Sequence, residues 1–293
     1  MHALKTPVGR LASARVGAAP EGHAGRIGRA AIAALHDELA LHPKPGLVSL
    51  VDSGSHHDMA ATTFMRSLFA LRHYFVAIAA LGARDAPFAE LERLGRDAER
   101  RMLQATSGVN THRGAVFSLG LLCAAAGRLA GGPVTAPALR QALLQAWGQA
   151  LDQRRSKPGP PSNGQSAALR HGLRSAGDEA ALGFPVLFEV TLPALRAALA
   201  TGLDMRPARL QALFRTLAVL DDTNLAHRGG LAGLAFARRA AADFLAAGGA
   251  GRPDALDHAQ AIHREFVARN LSPGGAADLL AAACWLQRVC AAV

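Results

Sequence analysis

GVNTHRGAVFSLGLLCAAAG, residues 108–127, runs from a polar loop straight into an apolar stretch. Alanine and leucine are strong helix formers, and after Gly114 the stretch has a single valine and no isoleucine or threonine. It therefore reads as a buried helix rather than a strand. The loop before it places an amide, a hydroxyl, an imidazole and a guanidinium between Gly108 and Gly114. A helix start offers free backbone N–H groups and the positive end of the dipole, so Asn110, Thr111, His112, Arg113 and Gly114 suit a phosphate. A plainer reading makes Thr111 an N-cap and Arg113 a solvated charge.

The same composition extends outward along all 293 residues, half of which are apolar while β-branched runs are nearly absent. The expected class is all-α. Helical spacing of apolar residues predicts about ten helices, near 24–41, 60–81, 88–105, 112–130, 136–152, 178–200, 207–220, 228–247, 254–269 and 275–291. Residues 1–23 read as a flexible N-terminal arm and 24–293 as a single helical catalytic domain. Residues 153–177, rich in Pro, Gly and Ser, read as a flexible loop within that domain.

A formal charge of +10, from 32 Lys and Arg against 22 Asp and Glu, favours anionic partners. The eleven phenylalanines, two tryptophans and one tyrosine are scattered, mostly through apolar helical stretches, and do not interleave with a basic stripe. Small phosphorylated ligands therefore fit better than nucleic acid. No apolar run reaches the roughly 18 residues of a membrane span. Cys123, Cys284 and Cys290 lack metal-ligand spacing and read as small core residues in a reducing compartment, so a cytoplasmic setting is expected.

Further polar islands interrupt the helical pattern. Glu38 precedes His42-Pro-Lys44-Pro-Gly46, where two prolines stiffen the chain around a lysine suited to phosphate. Ser53-Gly-Ser-His56-His57-Asp58 offers two imidazoles and a carboxylate for ligand binding or proton transfer. Asp221-Asp222-Thr-Asn224 leads to Arg228 and ends a helix with two carboxylates, a placement that suits an incoming cation. Mg²⁺ held by Asp221, Asp222 and Asp278 together with substrate phosphates is the expected arrangement. Leu271-Ser272-Pro-Gly274-Gly275 opens another helix, and Arg174 to Pro185 forms a weaker island that contains Glu179. Walker-type, GxSxG, HExxH and CxxC patterns are all absent.

The stretches ELALHPKPGLV, SGSHHDM, GVNTHRGAVFSLGLL, GDEAALGFP, DDTNLAHRGGL and LSPGGAADLLA span residues 38–283. In this order they resemble the triphosphoribosyl-dephospho-CoA synthase family. The resemblance implies an all-α enzyme that joins ribose C1′ of ATP to the 2′-hydroxyl of 3′-dephospho-CoA, keeps the triphosphate and expels adenine. It also implies a functional link to an acyl carrier subunit, of malonate decarboxylase or citrate lyase, whose prosthetic group derives from the product.

On that reading Lys44, Gly46, His56, His57, Asn110, Thr111, Arg113, Gly114, Asn224, Arg228, Ser272, Gly274 and Gly275 bind nucleotide or phosphate. Glu38 or His112 serves as base, and Asp58 or Glu179 as the carboxylate near the ribose. Ser49 stands where an aspartate often follows PKPGLV in the family, and His57 where a lysine or another polar residue is common. That leaves Asp52 and Asp58 as the nearer acidic candidates. Two other classes fit the residues less fully: a helical HD-type metal-dependent phosphohydrolase built on His57-Asp58, and a coenzyme-binding protein without turnover.

Overall fold

A computed structural model describes residues 22–155 and 162–290, so the N-terminal arm lies almost wholly outside the described residues, as does part of the 153–177 loop. Among the described residues there are twelve α-helices and no strand. They are α1 (His23–Ala40), α2 (Ala61–Ala83), α3 (Phe88–Ala105), α4 (Arg113–Arg128), α5 (Ala136–Arg155) and α6 (Asn163–His171). Next come α7 (Ala176–Ala181), α8 (Leu192–Ala200), α9 (Met205–Val219), α10 (Thr223–Ala246), α11 (Ala255–Ala268) and α12 (Gly274–Val289). The all-α expectation holds.

The centre is built from α1, α2, α4 and α12, with α3 and α5 outside on one flank and α8, α9 and α10 on the other. In α4 every residue from Leu119 to Gly127 is buried, so its apolar character all round reflects a helix enclosed on every side. Close approach of α2 and α4 requires small residues on both. A Cβ at Gly82 would lie 1.9 Å from the Ala124 carbonyl oxygen, and one at Gly127 would lie 2.0 Å from that of Ala79. Trp285 of α12 donates from Nε1 to the Ile27 carbonyl, which ties the last helix to the first. By length and composition α2 is apolar enough to cross a membrane, but it packs against α1, α3 and α4.

Three regions depart from the expected segments. Within 153–177, Ser162 and Gln165 form a capping box that starts α6, and Gly172 ends it in the left-handed conformation. The expected 178–200 helix is divided: α7 stops at Ala181, Gly183 and Phe184 take positive φ, and a π-helical turn at Leu187–Thr191 leads into α8. Helix α10 starts before the expected segment because Asp222 caps it, and it is interrupted at Gly230, where φ is 62°.

Candidate active site

One cavity of about 580 Å³ gathers residues from Leu35 to Ala281. The first turns of α2, α4, α6, α10 and α12 all reach it, through Phe64, Gly114, Asn163, Asn224 and Gly274 respectively. Five helix N-termini on one cavity create a positive field suited to anions.

Of the residues singled out from sequence, Glu38, His56, His57, Asp58, Asn110, Thr111, His112, Arg113, Gly114, Asn224, Arg228, Ser272, Gly274 and Asp278 line this cavity. Lys44, Gly46, Glu179, Asp221, Asp222 and Gly275 do not.

The N-terminus of α4 shows why the islands belong together. Asn110 caps it by accepting from the Arg113 N–H at 3.2 Å, a role the plain reading gave to Thr111. The Asp278 carboxylate, half-buried in α12, accepts from the Ala115 N–H. A Cβ at Gly114 would lie 1.8 Å from Asp278 Oδ2, so glycine at 114 makes room for that carboxylate. The anion that this helix start attracts is thus in part the protein's own. Burial, and then the charges of Glu38 and Asp222, push Asp278 well above the usual carboxylate range.

Asp222 does parallel work one layer away. Its Oδ1 accepts from the backbone of Asn224 (2.9 Å) and Leu225 (3.3 Å), and its Oδ2 from Ala276 (2.9 Å). The side chain therefore ties the starts of α10 and α12 together. Its burial raises it to about 6, against the lowering effect of these hydrogen bonds. Asp221 accepts from Arg238 (2.6 Å) and from the Arg174 N–H (2.9 Å).

Lys44 is fully enclosed, and its Nζ donates to the Glu38 carbonyl (2.7 Å) and to Glu38 Oε1 (2.5 Å). The stiff proline loop thus aims the lysine inward, where it orients Glu38 instead of meeting solvent. Desolvation lowers Lys44, while Glu38 pulls it back up. The loop itself is anchored by His263, whose Nδ1 donates to the Lys44 carbonyl at 2.7 Å. The nearby Asp52 carboxylate lies 3.4 Å from His263 Nε2 and 3.7 Å from His42 Nδ1, and Ser49 Oγ lies 3.2 Å from His42 Nδ1. Asp52 is the carboxylate that serves this corner where Ser49 offers only a hydroxyl.

Arg228 ties two loops to α10. It donates to the Ser55 carbonyl (3.0 Å), to Asn270 Oδ1 (2.8 Å) and to His56 Nδ1 (3.0 Å). An arginine can only donate, so His56 Nδ1 is unprotonated and its Nε2–H faces Ser272 Oγ at 2.9 Å. Burial and the Arg228 charge push His56 down to about 4. Arg113 pairs with Glu99 at 3.1 Å on the cavity rim. Glu179 is buried on Arg174 and accepts from the Val186 N–H, fixing the turn after α7. His57 and Asp58 are exposed at the mouth.

Two buried polar atoms of lining residues have no partner among the described residues: Thr111 Oγ1 and His112 Nε2. Such atoms are costly unless a ligand or water meets them. Burial, and then the charge of Lys44, hold His112 at about 3, so its ring is neutral.

A family model described as CitG, ATP:dephospho-CoA triphosphoribosyl transferase, matches residues 24–292. The chain belongs to this family. A curated relative from Azotobacter vinelandii (strain DJ / ATCC BAA-1303), a probable 2-(5''-triphosphoribosyl)-3'-dephosphocoenzyme-A synthase, is 42% identical over 277 residues. That match covers 90% of this chain and 91% of the relative. No solved structure matches the chain.

Membership of the transferase family agrees with the six-motif resemblance and displaces the phosphohydrolase alternative. Several lining residues carried no prediction. Phe64 lies in the apolar pattern of α2, as does Ser67 behind it against His112, and nothing in sequence distinguishes either from core. Asn163 falls in the stretch read as a loop, Asn270 directly precedes the quoted LSPGGAADLLA, and His227 lies inside the quoted DDTNLAHRGGL.

Proposed function

We propose that this cavity is where the transferase joins ribose C1′ of ATP to the 2′-hydroxyl of dephospho-CoA. Three features on one surface support the reading: helix N-termini for anions, the carboxylates of Glu38 and Asp278, and unpartnered polar atoms awaiting a ligand. In the step the 2′-oxygen bonds to C1′, the C1′–N9 bond breaks with its electron pair going to adenine, and the hydroxyl proton leaves to a base. The departing adenine takes up one proton. Glu38 is the base: it lines the cavity and Lys44 holds its Oε1 in place. Positive charge builds at the ribose as the bond breaks, and the Glu38 carboxylate stabilises it before taking up the proton. Arg228, Arg113, Thr111 and Asn224 face the polar mouth, where the phosphates bind.

The donor set fits Mg²⁺ on a nucleotide. The ion takes one or two carboxylates and completes its shell with phosphate oxygens and water. Asp278 has this character, since it is a hard oxygen donor raised first by desolvation and then by the charges of Glu38 and Asp222, and a cation beside it would favour its ionised form against both. Asp278 would hold the ion, which when bound neutralises triphosphate charge. Asp221 and Asp222 support it from behind through the helix starts. The free thiols Cys123, Cys284 and Cys290 and the nucleotide substrates support a cytoplasmic setting.

The direct assay incubates purified protein with ATP, Mg²⁺ and dephospho-CoA and follows free adenine. Adenine release with retention of all three phosphates in the product is expected. Phosphate or pyrophosphate release without adenine would overturn the reading.

A further inference from the structure

The ring of His112 is held from α2. Its Nδ1 lies 2.6 Å from the Ser67 hydroxyl, and both residues are buried. A contact that short holds one proton, which belongs either to the hydroxyl or to the ring. Serine and threonine hydroxyls elsewhere in these helices turn back to a carbonyl of the preceding turn, as Ser118 does to Gly114 and Thr216 to Ala212. Ser67 makes no such bond; His112 is its one hydrogen-bond partner among the described residues. Were the ring to donate, the buried serine proton would have no acceptor, a loss comparable to a hydrogen bond. The serine proton therefore goes to Nδ1, and the single proton of the neutral ring sits on Nε2.

We infer that Ser67 is a positioning residue that holds His112 in its Nε2–H tautomer, and that His112 is a neutral hydrogen-bond donor to the substrate rather than its base. The Nε2 atom is buried without a partner, and its residue lines the cavity. The Phe64 ring, edge-on at 4.9 Å, and the Met102 sulfur, which accepts from the His112 N–H at 3.3 Å, fix the imidazole further. A neutral donor beside an aromatic wall suits a purine. As the C1′–N9 bond breaks, negative charge builds on the ring nitrogens of adenine, so a hydrogen bond from Nε2 strengthens in the transition state. The purine assignment rests on the transferase reading; the tautomer is a property of the chain alone.

The test is ¹⁵N NMR on the full chain with labelled histidine, the His112 signals being identified by their loss in His112→Gln. Wild-type protein should show Nε2 protonated and Nδ1 bare, and Ser67→Ala should lose that preference. A protonated Nδ1 in wild-type protein overturns the proposal, whatever the variants do. In kinetics, Ser67→Ala should lower kcat about tenfold while KM for ATP hardly moves, as expected for one lost neutral hydrogen bond. His112→Gln, which keeps an N–H donor, should retain more kcat than His112→Phe, and equal losses would remove the donor role. Of 1-deaza-ATP, 3-deaza-ATP and 7-deaza-ATP, one should be turned over equally by wild type and His112→Phe. If all three analogues still distinguish the two proteins, the purine is not the acceptor. Wild-type protein that releases no adenine from ATP would defeat the transferase reading instead, while the NMR result still decides the tautomer.

Discussion

At Gly114 a missing side chain has a chemical purpose. The Asp278 carboxylate occupies the space a Cβ would need, at 1.8 Å, and takes the Ala115 N–H. Gly114→Ala must push that carboxylate out of place, and a displacement of about 1 Å in a reacting group costs on the order of a hundredfold. Adenine release should fall by about that factor while the urea midpoint moves far less; unchanged kcat would remove Asp278 from the reaction. His112 makes a second prediction, in pH. Its folded value of about 3 lies below the ordinary 6.5, so between these values the unfolded chain binds a proton that the native chain refuses. The stability from a neutral His112 is therefore present above about 6.5 and lost as pH falls. Relative to His112→Gln, wild-type protein should lose about 1.4 kcal/mol per pH unit between roughly pH 6 and 4. Parallel stability curves for the two proteins would refute this. At this scale the polar islands are legible in sequence because polar residues interrupting alanine–leucine runs have no packing reason to be there. Which charges are consumed internally is not legible. Lys44 turns inward to Glu38, and Asp221 pairs with Arg238 across seventeen residues. Ser67 looks like any small residue in an apolar helix.

Helices α10 and α12 begin side by side because one carboxylate serves both. Asp222 caps α10 through Asn224 and Leu225 and reaches across to Ala276 in the first turn of α12. In sequence the same aspartate looks like a carboxylate wrongly placed at a helix end, since Val219 closes α9 just before it. Only the packing reveals that it faces the positive end of the next helix. Asp222→Ala should cost about 2–4 kcal/mol, combining a lost cap with buried N–H groups left unpaired. Asp222→Asn keeps an acceptor oxygen and should cost roughly 1 kcal/mol by urea denaturation, with most activity retained. A fully stable but inactive Asp222→Asn protein would instead make the charge itself a participant. Long apolar helices such as α2 and α4 are readable from periodicity. The break after α7 is not, because the left-handed Phe184 and the π-turn that follows it answer to packing rather than to propensity.

The cavity wall is drawn from Leu35 at one extreme and Ala281 at the other, so no part of the chain holds the site by itself. Arg228 reinforces this by joining the loop at Ser55, Asn270 before α12, and its own helix α10. The net charge of +10 then draws polyanionic substrates toward a cavity at which five helix N-termini already meet. A ligand in such a site stabilises every element that lines it, and so should act on the folding of the described domain as a unit. ATP with Mg²⁺ at about 100 times its Kd should add about 2.7 kcal/mol, visible as a rise of several degrees in a single melting transition. Arg228→Ala should reduce that rise, because the loops carrying His56 and Ser272 are no longer held together before the ligand arrives. Calorimetry decides the matter. A melt that separates into two steps, only one of them moved by ATP, would mean that the site is assembled from fewer segments than these contacts indicate.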